Sequence, residues 1–121
     1  MALAGAAGTI ARFFVAGWAQ QLGGNRFPWG TLAVNLVGCF LFGLIFALIE
    51  DRVAISEKVR HIALIGFMGA FTTFSTFAFE TVQLIRDDKV GTAVANATLQ
   101  NVAGVLAVAL GMTIARIGET D

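Results

Sequence analysis

The sequence predicts an all-α membrane protein with four transmembrane helices, and its composition is the first reason. Hydrophobic residue types make up 57% of the 121 residues and charged types only 13%, whereas about a quarter of the residues of a soluble domain are charged. The mean hydropathy is +0.79. Because so few polar residues are available to cover a water-facing surface, we expect a single transmembrane domain over residues 1–121.

The second reason is the position of the charged residues, which separate four apolar stretches. Charges cluster near Arg26, across 50–60, across 86–89 and after residue 115, and only Arg12 and Glu80 lie inside the apolar stretches. Each stretch reaches the length of about 20 apolar residues that a spanning helix requires. The predicted spans cover approximately 2–22, 29–49, 59–85 and 90–115.

Basic residues are divided almost equally between the two sides of the membrane. The side that holds both termini and the 50–58 segment carries Arg52, Lys58, Arg60 and Arg116. The opposite side carries Arg26, Arg86 and Lys89. Orientation normally follows an excess of Lys and Arg on the cytoplasmic side, and four against three is almost no excess. We therefore expect insertion in both orientations and an antiparallel homodimer about a two-fold axis in the membrane plane.

The third span is unusual because glycines and hydroxyl residues occupy its middle. These residues are Gly66, Gly69, Thr72, Thr73, Ser75 and Thr76. A helix that breaks there leaves main-chain carbonyls in need of another partner, such as water, a neighbouring helix or an ion. Such carbonyls at a two-fold axis suit a small hard cation. The alternative is an unbroken, tilted helix whose hydroxyls bond to the preceding turn, and composition favours neither arrangement.

The same span carries two candidate functional faces. Thr73, Thr76 and Glu80 follow the spacing i, i+3, i+7 and form a polar stripe. Phe74 and Phe77 lie beside it at i, i+3. Phenylalanine rings have a positive edge, so this pair can contact an anion without binding it tightly. The alternative is that both rings simply fill the protein interior.

Polar residues in the other spans are further candidates. Asn35 lies deep in the second span, where its amide can face an anion or form an interhelical hydrogen bond. Arg12 is costly within the first span unless it is paired or solvated, which fits either a functional group or a structural tether. In the fourth span one face at i+4 spacing carries Thr92, Asn96, Gln100 and Gly104.

Two segments resemble signatures of a known family. Residues 29–38, Trp-Gly-Thr-Leu-Ala-Val-Asn-Leu-Val-Gly, are similar to the second helix of the small fluoride channels of the CrcB or Fluc family. Residues 66–77, Gly-Phe-Met-Gly-Ala-Phe-Thr-Thr-Phe-Ser-Thr-Phe, resemble the family's third helix more strongly still. The resemblance extends over essentially the whole chain, in the number and order of spans.

This resemblance implies a fluoride-selective, passive channel that exports cytoplasmic fluoride and lowers its toxicity. Members are antiparallel homodimers in the cell inner (plasma) membrane, with two fluoride pathways. A structural sodium ion, which is not transported, is held by main-chain carbonyls that match Gly69 and Thr72 of both chains. The matching pathway residues are Arg12, Asn35, Phe74, Ser75, Thr76, Phe77, Glu80 and Asn96. Gln100 replaces a serine of many members, and we expect it to narrow or reroute the pathway.

Other classes of function have less support. A net charge of zero gives no indication of nucleic-acid binding, and the chain offers no nucleophile–base pair or metal cluster typical of an enzyme. A proton-coupled drug exporter with four spans needs a carboxylate deep in its first span, where this chain has only Arg12. A non-conducting subunit of a larger assembly is opposed only by the motif of the third span.

Overall fold

The computed structural model describes residues 1–50 and 55–119, apart from the side chain of Glu119. Among these residues, four helical segments are long and apolar enough to cross a membrane: Ala2–Gly23, Trp29–Glu50, Glu57–Arg86 and Val90–Gly118. We call them the first to fourth spans. The prediction of an all-helical chain with four spans is therefore confirmed. Asp51, Arg52 and Asp121, which belong to the predicted charged clusters, lie outside the described residues.

The third and fourth spans are each divided into several helices. Helix α1 covers Ala2–Gly23 and α2 covers Trp29–Glu50. The third span consists of α3 (Glu57–His61), a π-helical segment (Ile62–Met68), α4 (Gly69–Phe71) and α5 (Phe74–Arg86). The fourth consists of α6 (Val90–Thr98), a π-helical segment (Leu99–Ala103) and α7 (Gly104–Glu119). Single π-helical turns in α-helices are frequent at functional sites.

The main chain leaves the helical conformation between α4 and α5. Thr72 has φ −88° and ψ 158°, and Thr73 has φ −149° and ψ 114°, so both residues are extended. Helix α2 packs directly against this interruption. A Cβ atom at Gly38 would overlap the Thr72 side chain, so the close approach requires glycine.

Helix α2 is the central helix of the chain and packs mainly against α7 and α1. The contact with α7 depends on two glycines. A Cβ atom at Gly43 would overlap the Val108 carbonyl oxygen, and one at Gly111 would overlap the Phe40 carbonyl oxygen. Small residues at helix interfaces allow such backbone contact in membrane proteins.

The first interhelical loop is held by one side chain at the end of α1. Gly24 ends the helix with φ 85°, a conformation that glycine adopts without strain. The Gln20 amide nitrogen donates to the carbonyls of Gly24 and Phe27, and the Gly30 N–H donates to Gln20 Oε1 at 3.0 Å. Gln20 thus fixes the loop and satisfies a free N–H at the start of α2.

Arg60 of α3 caps the carboxyl end of α2. Its Nη2 atom donates to the carbonyl oxygens of Ile49 at 2.7 Å and Glu50 at 3.4 Å. We expect Arg60→Leu to lower the free energy of unfolding by about 1–2 kcal/mol, because it removes charged hydrogen bonds to carbonyls at a helix end. Denaturant titration in detergent measures this change. Lys58→Leu is the control, since it removes the same charge from an exposed position of α3. An equal loss of stability in both variants would contradict the capping role.

Candidate functional site

Three cavities lie next to one another, because they share lining residues. The inner cavity, of about 270 Å³, is lined by Asn35, Thr73, Phe74, Phe77 and Gln100, among others. The middle cavity, of about 440 Å³, is lined by residues that include Arg12, Thr31, Thr73, Thr76 and Glu80. The loop cavity, of about 250 Å³, includes Gln20, Arg26, Glu80, Asp87 and Lys89. Because Thr73 and Glu80 each line two of them, the cavities form one series from the charged loops to the interruption.

Hydroxyl groups and one carboxylate are among the polar groups that line the middle cavity. Thr31 Oγ1 donates to Glu80 Oε1 at 2.7 Å, and the hydroxyls of Thr73 and Thr76 lie 2.9 Å apart in a hydrogen bond. Glu80 Oε2 is buried without a hydrogen-bond partner among the described residues. A buried polar atom without a partner is uncommon in folded proteins and is often found where function requires it.

The Asn35 side chain bonds the main chain of the interruption and also one other side chain. The Thr73 N–H donates to Asn35 Oδ1 at 2.8 Å, and Asn35 Nδ2 donates to the Thr73 carbonyl at 3.0 Å. The second Nδ2 hydrogen is directed at Gln100 Oε1, at 3.1 Å. Both donors of the amide are therefore used within the chain.

The carbonyls that the family resemblance assigns to a cation lose their helical donors at this point. In a continuous helix, the Thr73 N–H would bond the Gly69 carbonyl and the Thr76 N–H would bond the Thr72 carbonyl. Here the Thr73 N–H goes to Asn35, and the Thr76 N–H donates to the Thr73 hydroxyl at 3.4 Å. Gly69 is also exposed. The oxygen atoms of Gly69 and Thr72 therefore fit a hard cation, which prefers oxygen ligands.

The predicted aromatic pair lies at the edge of the inner cavity. The rings of Phe74 and Phe77 have centroids 5.5 Å apart and an interplanar angle of 59°. Phe77 is only 9% exposed, whereas Phe74 is 76% exposed. The inner cavity is thus closed on one side by this chain and open on the side of Phe74.

In the fourth span, amide groups form a chain of hydrogen bonds behind the inner cavity. Gln100 Nε2 donates to Asn96 Oδ1 at 3.5 Å, Asn96 Nδ2 donates to Thr81 Oγ1 at 3.0 Å, and this hydroxyl donates to the Phe77 carbonyl. Gln100 lies in the π-helical segment Leu99–Ala103. It therefore connects Asn35 to Asn96, and the chain continues to the helix that carries Phe77.

The predicted site residues do not all line the cavities. Seven of the nine predicted pathway residues do, namely Arg12, Asn35, Phe74, Thr76, Phe77, Glu80 and Gln100, and so does Thr72, one of the two predicted cation ligands. Asn96 is fully buried behind Gln100, and Ser75 is exposed and is not among the residues that line these three cavities.

The predicted site did not include Thr31, which bonds Glu80, or Gln20, which holds the first loop. Thr31 lies one helical turn before Asn35, so the i, i+4 spacing on α2 was an available signal for it. Gln20 gave no comparable signal, because its partners are main-chain atoms of a loop whose conformation is not evident from the sequence.

The chemistry of this series suits the passage of a small ion that must exchange its water shell for protein groups. Hydroxyls donate and accept hydrogen bonds, ring edges carry partial positive charge, and the open side of the inner cavity admits a further surface. Within the part of the chain that the structure describes, no three His, Cys, Asp or Glu side chains group as a metal site. The oxygen atoms that the family resemblance assigns to a cation are main-chain carbonyls.

Comparisons with known proteins identify similar chains along nearly the whole length. Residues 1–112 match the family model described as CrcB-like protein, Camphor Resistance (CrcB). The fluoride-specific ion channel FluC of Nitrosococcus oceani is 53% identical over 117 residues, which cover 97% of this chain and 94% of the relative. The proteins of the same name from Desulforapulum autotrophicum and Solidesulfovibrio magneticus are 47% and 44% identical, with the same coverage.

Proposed function

Since this chain belongs to the CrcB family, we propose that it is a fluoride-selective passive channel that exports cytoplasmic fluoride and so lowers its toxicity. The series of three cavities that share Thr73 and Glu80 is the observation that carries this proposal. The chain is a multi-pass membrane protein. We place it in the cell inner (plasma) membrane, because export from the cytoplasm requires that location.

Selectivity follows from the kind of groups that line the pathway. Fluoride is small and strongly hydrated, so a pore must replace its water with donors while it binds the ion weakly enough to release it. The Thr73 and Thr76 hydroxyls and the edges of Phe74 and Phe77 are such groups. The remaining residues that we assign to the pathway are Arg12, Asn35, Ser75, Glu80, Asn96 and Gln100.

The working unit in this proposal is an antiparallel homodimer. The exposed Phe74 ring and the open side of the inner cavity support it, because a single chain does not enclose the pathway. A second copy that presents the same surface closes an isologous contact. The nearly equal numbers of basic residues on the two sides, four and three, favour insertion of the two copies in opposite orientations.

A structural sodium ion at the dimer centre completes the proposal. The carbonyls of Gly69 and Thr72 from both copies would hold it, and their loss of helical donors supports this assignment. When bound, the ion supplies positive potential near the two pathways and links the interrupted third spans. We place the interruption itself within the membrane, where the free carbonyls need such a partner.

Efflux from liposomes tests the proposed function directly. Liposomes that contain the purified protein and are loaded with potassium fluoride should release fluoride when valinomycin allows potassium to leave, without any proton gradient. Chloride-loaded liposomes should retain their chloride, because the proposed pathway is selective for the smaller fluoride ion. Ion-selective electrodes measure both.

The same experiment separates the alternatives. A proton-coupled exporter would require a proton gradient for release, and a non-conducting subunit would give none. Equal release of fluoride and chloride would contradict selectivity. Empty liposomes prepared in parallel measure the passive leak of each ion.

A further inference from the structure

We infer that Asn35 is a positioning residue that keeps the third span open and thereby makes the Gly69 and Thr72 carbonyls available for sodium. This inference rests on the sodium site of the proposed function. It assigns to Asn35 a role that acts through the main chain, in addition to its place in the pathway.

The hydrogen-bonding groups of the Asn35 side chain match those of the Thr73 main chain. In an extended residue the N–H and C=O groups point to the same side, as in a β-strand. A carboxamide presents an acceptor and a donor side by side. Asn35 therefore bonds both main-chain groups of Thr73, at 2.8 Å and 3.0 Å, in the way that a neighbouring strand would.

The two bonds to Thr73 depend on the type of side chain at position 35. A carboxylate at position 35 would offer two acceptors and would repel the Thr73 carbonyl, while an aliphatic group would offer neither bond. A carboxamide supplies both an acceptor and a donor from one planar group, which an ionised carboxylate and an aliphatic group do not. The close contact between Gly38 of α2 and Thr72 brings this amide next to the interruption.

The bond between Asn35 and the Thr73 N–H also affects the proposed cation ligands. Because Asn35 accepts the Thr73 N–H, this donor no longer closes a helical turn on the Gly69 carbonyl. If Asn35 is removed, the Thr73 N–H loses a partner in a site with little water. The cheapest replacement is the Gly69 carbonyl, which would extend α4 and take away a sodium ligand.

Both donors of the Asn35 amide are used within the chain. One Nδ2 hydrogen bonds the Thr73 carbonyl and the other is directed at Gln100 Oε1. A fluoride ion in the inner cavity would have to break one of these bonds to accept from Asn35. An anion that displaced Gln100 would leave both bonds to Thr73 in place, so the role of Asn35 at the interruption is compatible with its position in the pathway.

The test measures sodium binding through stability rather than conduction. We would record the thermal midpoint of the purified protein in detergent over a series of sodium chloride concentrations, with N-methyl-D-glucamine chloride keeping ionic strength constant. Asn35→Leu and Asn35→Val, which can form neither bond to Thr73, should each raise the sodium concentration for half-maximal stabilisation at least about tenfold, equivalent to ~1.4 kcal/mol. Gln100→Met is the matched control, because it removes the other partner of Asn35 but leaves both bonds to Thr73. Its sodium concentration for half-maximal stabilisation should stay close to that of the wild type.

Each other outcome contradicts the inference in a distinct way. If the Asn35 variants lose fluoride efflux but keep the wild-type sodium dependence, Asn35 acts directly on the anion and the inference is wrong. If sodium stabilises neither the wild type nor any variant, the sodium site and this inference both fail, while fluoride efflux by the wild type still decides the channel assignment.

A measurement on the unmodified protein covers the case in which the variants do not fold. Hydrogen–deuterium exchange of a peptide that contains Thr73 should slow when sodium replaces N-methyl-D-glucamine, since a cation on Gly69 and Thr72 stabilises the conformation in which Asn35 protects the Thr73 N–H. Exchange that does not depend on sodium would overturn the link between Asn35 and the cation.

Discussion

Gly111→Leu should prevent the chain from folding into a stable bundle, with a loss of about 3 kcal/mol or more in the free energy of unfolding. A side chain at this position would enter the space of the Phe40 carbonyl oxygen and come against the Leu44 nitrogen at 2.8 Å from its Cβ atom. Both are main-chain atoms of α2 and cannot rotate aside. Helices α2 and α7 would therefore separate along the contact that dominates the packing of the chain.

The measurement is the yield of monodisperse protein after detergent extraction, followed by its thermal midpoint. Gly118→Leu is a matched control in the same helix two turns later, where a Cβ atom meets nothing within 4 Å. We expect the control to behave as the wild type. If Gly111→Leu gave the same yield and midpoint as Gly118→Leu, the close contact between α2 and α7 would not exist as described.

The contact between α2 and α7 also shows how far the sequence predicts this fold. Length, hydropathy and the charged clusters are enough to predict the four spans, and the four apolar segments begin and end within three residues of the predicted bounds. Hydropathy is a local property, so it carries this information well. Which glycines meet which carbonyls depends on the relative rotation of two helices, and local patterns do not contain that rotation.

The third span illustrates the same limit at the site. Its threonines are compatible with a continuous helix, in which their hydroxyls bond the preceding turn, and with an extended segment. The bonds that favour the extended conformation of Thr73 come from Asn35, which is 38 residues away in the sequence. Thr73, Thr76 and Glu80, which follow a helical spacing in the sequence, all line the middle cavity, although Thr73 itself is extended.

The aromatic pair provides the second strong prediction. Phe74→Ile and Phe77→Ile should each slow fluoride efflux from liposomes at least about tenfold, since a barrier raised by ~1.4 kcal/mol reduces a rate tenfold. Isoleucine is also large and apolar but has no ring quadrupole, so it cannot present a positive edge to an anion. Ion-selective electrodes give the rate in liposomes, and the elution profile in detergent reports whether the variant is folded.

The two rings test different parts of the proposal, because their surroundings differ. Phe77 is buried within the chain, so its replacement also disturbs packing, and a slower rate there has two causes. Phe74 is 76% exposed, and its replacement should change the stability of a single chain little. Phe79→Ile is the matched control, because Phe79 lies on the same helix, is 64% exposed and is not among the residues that line the three cavities. If Phe74→Ile conducts as fast as Phe79→Ile, the exposed ring faces lipid, and the pathway does not pass the surface where we place the second copy.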